Sequence, residues 1–163
     1  LLGEEGASST GASGRRWVID PVDGTYNFTK GLPYWCSTLA LEGSDGSLLG
    51  AVYQPSTGEV WVGGAGAPTT RNGVPVAPLV DRALSECVQA TYLHPVTLGA
   101  PELAGPWCGI VAAAATARMF GSGSCDLAAV AGSRIDVWVQ HSTAAWDWLP
   151  GNCGCSLEEP SNE

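Results

Sequence analysis

The alternation of apolar and polar positions in the first half of the chain predicts β-structure joined by tight turns. Arg16 to Ile19 reads as a strand closed by Asp20. Tyr34 to Leu41 and Ser47 to Gln54 are two apolar runs separated by Glu42-Gly43-Ser44-Asp45-Gly46, a hairpin signal in which Asp45 is a turn aspartate before glycine. Pro55-Ser56-Thr57-Gly58 marks a second turn before a strand from Glu59 to Val62, and Arg71-Asn72-Gly73 a third, because Asn-Gly readily takes positive φ. An antiparallel meander is the expected result.

The second half changes period. Leu84 to Tyr92 reads as a strand, after which Pro95, Pro101 and Pro106 are expected to interrupt regular structure, with His94 a loop or surface residue. Ile110 to Phe120 is alanine-rich and predicts a helix. Gly121-Ser122-Gly123-Ser124 caps a second helix, Cys125 to Ala131, ended by Gly132. Ile135, Val137 and Val139 alternate with Asp136, Trp138 and Gln140, which predicts a strand with Gln140, His141 and Ser142 at its exit. Trp146 to Pro150 reads as a helix start, with Asp147 as N-cap and Pro150 within the first turn. Gly6 to Gly14 has no apolar periodicity and predicts a mobile loop.

Composition narrows the class of partner. A chain of 163 residues is long enough for one domain with a working core. Its 16 acidic and 7 basic side chains give a net charge of −9, which argues against nucleic acid or an anionic membrane as partner and is consistent with a cation site. No apolar run reaches the length of a membrane span. The six cysteines lack the paired spacing of a zinc module, and most of them read as reduced core thiols of a cytoplasmic protein, with Cys153-Gly154-Cys155 the one close pair.

The stretch with chemistry in it is Asp20-Pro21-Val22-Asp23-Gly24-Thr25. Proline between two carboxylates rules out a helix face and places them on a turn, where the Val22 carbonyl stays out of the sheet ladder. Two carboxylates and a carbonyl suit a hard, near-octahedral cation such as magnesium. Gly24 lets the backbone approach a ligand, and Thr25 suits the cap of a short helix through Asn27 and Phe28, whose free amides face a phosphate. For a bare Asp-Pro-x-Asp an ordinary strand-turn-helix would be the better reading. The full string is far more specific.

With Gly3-Glu4-Glu5 upstream and Trp146-Asp147 downstream, this string resembles the inositol monophosphatase family of magnesium-dependent, often lithium-sensitive sugar-phosphate phosphatases. The resemblance implies a layered α-β-α-β-α sandwich of the sugar-phosphatase type (α+β), incomplete at the N- and C-termini. It would cover residues 1–151, leaving 152–163 as a polar, disordered tail. It implies that Glu4, Asp20, Asp23, Asp147 and the Val22 carbonyl hold magnesium, as two or three ions. Glu4, Asp23 and Thr25 would be catalytic, with Thr25 orienting the attacking water. Gly24 and Thr25 amides would hold the phosphate, and Gln140 and Asp147 would contact the rest of the substrate. The attacking water in this family is metal-bound, which leaves His141 without a role as base. The implied activity is hydrolysis of a phosphate monoester on a small polyol, foremost inositol monophosphate, by a cytoplasmic enzyme for which a homodimer is the candidate assembly. Histidinol phosphate and fructose 1,6-bisphosphate are the alternative substrates. A non-catalytic scaffold with an interaction role is the alternative class.

Overall fold

The computed structural model describes residues 1–6, 9, 13–44, 46–141 and 143–152. Asp45, Ser142, Cys153, Cys155, the tail beyond Asn152 and much of the Gly6–Gly14 loop lie outside them.

The first half forms one sheet. In it β1 (Leu2–Gly3) runs parallel to β2 (Arg16–Asp23), and β3 (Cys36–Gly43), β4 (Gly46–Gln54), β5 (Glu59–Gly64), β6 (Ala67–Arg71) and β7 (Val74–Pro75) follow as an antiparallel meander in chain order. The turns expected at Pro55–Gly58 and Arg71–Gly73 join these strands. Asn72 has φ 51°, and its side-chain oxygen accepts from the Val60 amide at 2.7 Å. One expectation is corrected: β2 does not end at Ile19. It continues through Asp20 to Asp23 with a register shift between those two residues, so Pro21, which has no N–H to give, lies in a bulge rather than in a regular ladder position.

After α1 (Thr25–Thr29) and the meander, a second sheet is built from β8 (Val88–Tyr92), β9 (Thr116–Arg118) and β10 (Val137–Gln140), all parallel, in the order β10-β8-β9. Its helices are α2 (Pro101–Ala113) and α3 (Gly123–Ala131), followed by α4 (Ala145–Asn152). Three expectations shift here. The Leu84–Tyr92 strand starts with a 3-10 turn, Leu84–Glu86, before β8. The strand expected from Ile135 begins at Val137. The helix expected over Ile110 to Phe120 instead starts at Pro101, ends at Ala113 and gives way to β9. Pro101 sits where the helix leaves its amides unpaired, so it starts the helix rather than breaking it. Pro106 costs one internal hydrogen bond on a helix with no buried residue.

Helix α3 is the centre of the packing. Its residues Ser124 to Ala128, Val130 and Ala131 are buried, so it is covered on all sides. Cys125, Ala128 and Ala131 pack on Cys36, Val52 and Trp61 of the first sheet, while Val130 packs on Ala90 of the second. Helix α4 lies beside it, with Leu149 against Val18 and Ala40. On the far side of the second sheet the Trp107 indole N–H of α2 donates to Thr91 at 2.9 Å. Sheet, helix pair, sheet and helix therefore stack in order, four of the five layers of the expected α-β-α-β-α sandwich. Small residues on α3 let the two sheets approach from either side.

Candidate metal and phosphate site

Parallel pairing of Leu2 with Val18 and Gly3 with Ile19 carries Glu4 to the level of Asp20, and the Glu4 amide donates to the Ile19 carbonyl at 3.3 Å. Asp20 is 1 % and Asp23 6 % exposed. The Asp20 carboxylate accepts from the Val22 amide at 2.9 Å, an Asx turn that fixes the bulge. The Pro21 carbonyl accepts from the Ser37 hydroxyl at 2.7 Å, and the Val22 carbonyl, outside the ladder as expected, accepts from the Thr25 hydroxyl at 3.0 Å. Thr25 is therefore not the helix cap. Its hydroxyl donates backwards, while a cap must accept from an amide ahead, and Gly24 takes the cap position at φ 92°. A Cβ on Gly24 would lie 3.1 Å from both the Ser122 Cβ and the Tyr34 carbonyl.

Asp23 is held from behind by the start of α3. Its Oδ2 accepts from the Ser122 hydroxyl at 2.8 Å and the Ser124 amide at 2.7 Å, with the Cys36 thiol at 3.7 Å. Ser122 meanwhile caps α3 by accepting from the Cys125 amide at 3.3 Å. Asp147 lies in the first turn of α4 and is not its N-cap. Its carboxylate reaches back to accept from the Ala144 amide at 3.1 Å, the backward half of a capping box. Pro150 accordingly falls in the second turn. The Ser124 hydroxyl donates to the Asp147 carbonyl at 3.1 Å and so ties α4 to α3.

These contacts bring one carboxylate oxygen each of Asp20, Asp23 and Asp147 within 4.8 Å of one another. Such crowding is electrostatically costly in the absence of a cation. Burial, reinforced by a hydrogen bond with Glu4 and the charges of Asp23 and Glu4, pushes the Asp20 carboxyl up to about 8. Burial raises Asp23 and Asp147 as well, opposed at Asp23 by the Ser124 amide and Ser122 hydroxyl and at Asp147 by the Ala144 amide. A divalent ion reverses each of these effects, and an all-oxygen donor set with a nearby carbonyl fits magnesium.

The cluster floors a cavity of about 930 Å³ between the two sheets. Every residue expected at the site lines it: Glu4, Asp20, Val22, Asp23, Gly24, Thr25, Gln140 and Asp147. Its far wall is the C-terminal edge of the parallel sheet, the usual ligand side of such sheets. Gln140 closes β10 opposite Tyr92, and His94, expected as a loop residue, is exposed but also faces this space. Sequence reasoning missed Ser122, Tyr34 and Asp126. The Tyr34 hydroxyl donates to the Asp126 carboxylate at 2.8 Å, and burial pushes Asp126 up to about 7. Ser122 was legible as a cap but not as a partner of Asp23, from which 99 positions separate it.

Fold and site together define a layered α+β protein with a buried carboxylate cluster able to hold a metal ion beneath a small-molecule cavity. The chain belongs to the inositol monophosphatase family, whose model matches residues 1–153. It is 35 % identical over 161 residues to the inositol-1-monophosphatase of Rhizobium meliloti (strain 1021), covering 93 % of this chain and 58 % of that protein. It is 30 % identical to the Nus factor SuhB of Haemophilus influenzae, covering 91 % of this chain and 56 % of that one. A histidinol-phosphatase of Mycobacterium tuberculosis is 29 % identical, with 90 % and 58 % covered. Among solved structures, the extragenic suppressor protein suhB of Bartonella henselae superposes with a TM-score of 0.84 at 29 % identity, over 94 % of this chain and 60 % of that one. The inositol monophosphate-bound SaIMPase-II gives 0.82 at 27 % identity, over 93 % and 59 %. The chain thus spans a little under three fifths of the length of the curated relatives it matches.

Proposed function

We propose that this chain hydrolyses a phosphate monoester on a small polyol, with inositol monophosphate as the first candidate and magnesium as the required ion. The observation that carries the reading is the convergence of the Asp20, Asp23 and Asp147 carboxylates within 4.8 Å on the floor of a cavity of about 930 Å³. A space of this size suits a phosphorylated sugar. Glu4, Asp20, Asp23, Asp147 and the Val22 carbonyl would hold two or three ions. Magnesium, when bound, supplies positive charge against the phosphoryl oxygens and makes water a better nucleophile at neutral pH. Thr25, its hydroxyl fixed 3.0 Å from the Val22 carbonyl, orients the water, and the amides of Gly24 and Thr25 hold the phosphate. Gln140 hydrogen-bonds a substrate hydroxyl without adding charge. Four described cysteines, Cys36, Cys87, Cys108 and Cys125, carry free thiols, which supports a cytoplasmic setting. No described helix is long and apolar enough to cross a membrane.

The test is magnesium-dependent phosphate release from inositol monophosphate by this chain and by Asp20→Asn, with histidinol phosphate and fructose 1,6-bisphosphate as competing substrates. The expected result is turnover that needs magnesium and falls at least about a hundredfold in the variant. Equal rates in both proteins, or none in either, overturn the reading. A second reading, a scaffold with an interaction role, is favoured by the relatives named Nus factor SuhB. Its signature is a folded, magnesium-binding protein that releases no phosphate from any of the three substrates.

A further inference from the structure

Asp126 is a buried carboxylate that the proposed chemistry does not use. It sits on α3, one turn after the Ser122 cap, is 2 % exposed, and still lines the cavity over the Asp20–Asp23–Asp147 cluster. One carboxylate oxygen accepts from the Tyr34 hydroxyl at 2.8 Å. Tyr34 is the one side chain among the described residues that hydrogen-bonds Asp126, and Asp126 has no oxygen sealed away without a partner, so its second oxygen opens on the cavity the residue lines. Tyr34 is itself fixed. Its ring stacks at 4.7 Å on Phe120, and its carbonyl accepts from the Asn27 amide nitrogen at 2.7 Å, which also donates to the Phe120 carbonyl at 2.7 Å. Asp126 therefore cannot swing away without leaving the tyrosine hydroxyl unpaired. A purely structural partner for Tyr34 would not need a carboxylate. An asparagine would accept the same bond without the cost of burying charge beside Asp23.

We propose that Asp126 is a specificity residue: its free oxygen accepts a hydrogen bond from a substrate hydroxyl and, with Gln140 on the far wall, selects polyol phosphates over phosphate esters without hydroxyls. The proposal rests on the phosphatase reading of this site. A hydroxylated ring whose phosphate lies over the carboxylate cluster presents donors to the α3 wall, and a rigid acceptor there discriminates strongly against ligands that leave it unpaired. No bond to the reacting phosphorus is involved, so the effect falls on substrate binding.

The test compares inositol monophosphate with p-nitrophenyl phosphate, which has no sugar hydroxyl, in the wild type, Asp126→Asn and Tyr34→Phe, with melting temperature and magnesium affinity recorded for each. Asp126→Asn keeps the bond from Tyr34 but turns the free acceptor into a donor. At pH 8.5, above the value of about 7 to which burial raises Asp126, the variant's KM for inositol monophosphate is expected to rise about ten- to a hundredfold, the loss appropriate to a hydrogen bond with a charged group, with kcat and all p-nitrophenyl phosphate constants within about twofold. Tyr34→Phe, which frees Asp126 to turn, should raise the same KM by a smaller factor. An equal change on both substrates, or a loss of magnesium affinity that explains the KM change, overturns the specificity role and leaves the phosphatase reading intact. Absence of magnesium-dependent turnover of either substrate by the wild type overturns both.

Discussion

Replacing Asp20 with asparagine should stabilise the metal-free protein and lose most or all of that advantage once magnesium is added. In the metal-free protein the Asp20 carboxyl is raised from 3.8 to about 8 by burial, Glu4 and Asp23. Between those two values the folded chain holds a proton that the unfolded chain releases, so stability falls as pH rises through this window. Unscreened, the displacement corresponds to about 5 kcal/mol at pH 7.5, and water entering through the cavity lowers this to about 2–3 kcal/mol. Asparagine carries no such penalty and keeps an oxygen for the Val22 amide, now 2.9 Å from the carboxylate. In EDTA at pH 7.5, Asp20→Asn should therefore unfold at higher urea than the wild type by about 2 kcal/mol, and the gap should narrow towards pH 5. With magnesium at a hundred times its dissociation constant, the wild type should gain about 2.7 kcal/mol and the variant less than about 1. Urea melts with both additives at both pH values measure all of these differences. A variant less stable than the wild type in EDTA at pH 7.5, or an equal magnesium gain in the two proteins, would refute the account of a crowded carboxylate cluster relieved by a cation.

Ser122→Ala removes a helix cap and a hydrogen bond to the Asp23 carboxylate together. It should cost about 2–3 kcal/mol, of which only the capping part, about 1 kcal/mol, should remain in an Asp23→Ala background. A double-mutant cycle with no coupling energy would show that Ser122 acts on α3 alone. Gly24→Ala forces a side chain into a left-handed backbone and to 3.1 Å from Ser122 and Tyr34, so it should cost about 2 kcal/mol and lower the melting temperature by about 4–8 °C. An unchanged melt would mean that the turn relaxes freely and does not set the geometry of the site.

Local chemistry made the meander legible. Asn72-Gly73 and Pro55 to Gly58 determine turns within a few residues, and the alternating runs between them pair with their chain neighbours, so short-range information was sufficient. The helix at Pro101–Ala113 is not legible in the sequence because proline usually breaks a helix, and only the fold puts Pro101 at the first helical position, on an exposed helix with little packing to disturb. Thr25 was misread for a related reason. A hydroxyl that can accept from an amide ahead can equally donate to a carbonyl behind, and the bulge at Pro21-Val22 decided the direction.

The sequence by itself determined the donor types: hard oxygens on the turn Asp20 to Thr25, a glutamate before it, an aspartate far after it, and cysteines without the spacing of a zinc module. The turn donors follow from the spacing of Asp20, Pro21 and Asp23, whereas Glu4 and Asp147 follow from the resemblance of their motifs to the family's. Only the tertiary structure decided that Asp147 comes within 4.8 Å of Asp20 and Asp23 and that Ser122 and Ser124 hold Asp23 from behind. It alone placed Asp126, with one oxygen free, in the wall of the same cavity. These relations depend on α3 lying between two sheets and α4 docking beside it. Packing of Cys125, Ala128, Val130 and Leu149 fixes that arrangement, and no local preference of the chain encodes it.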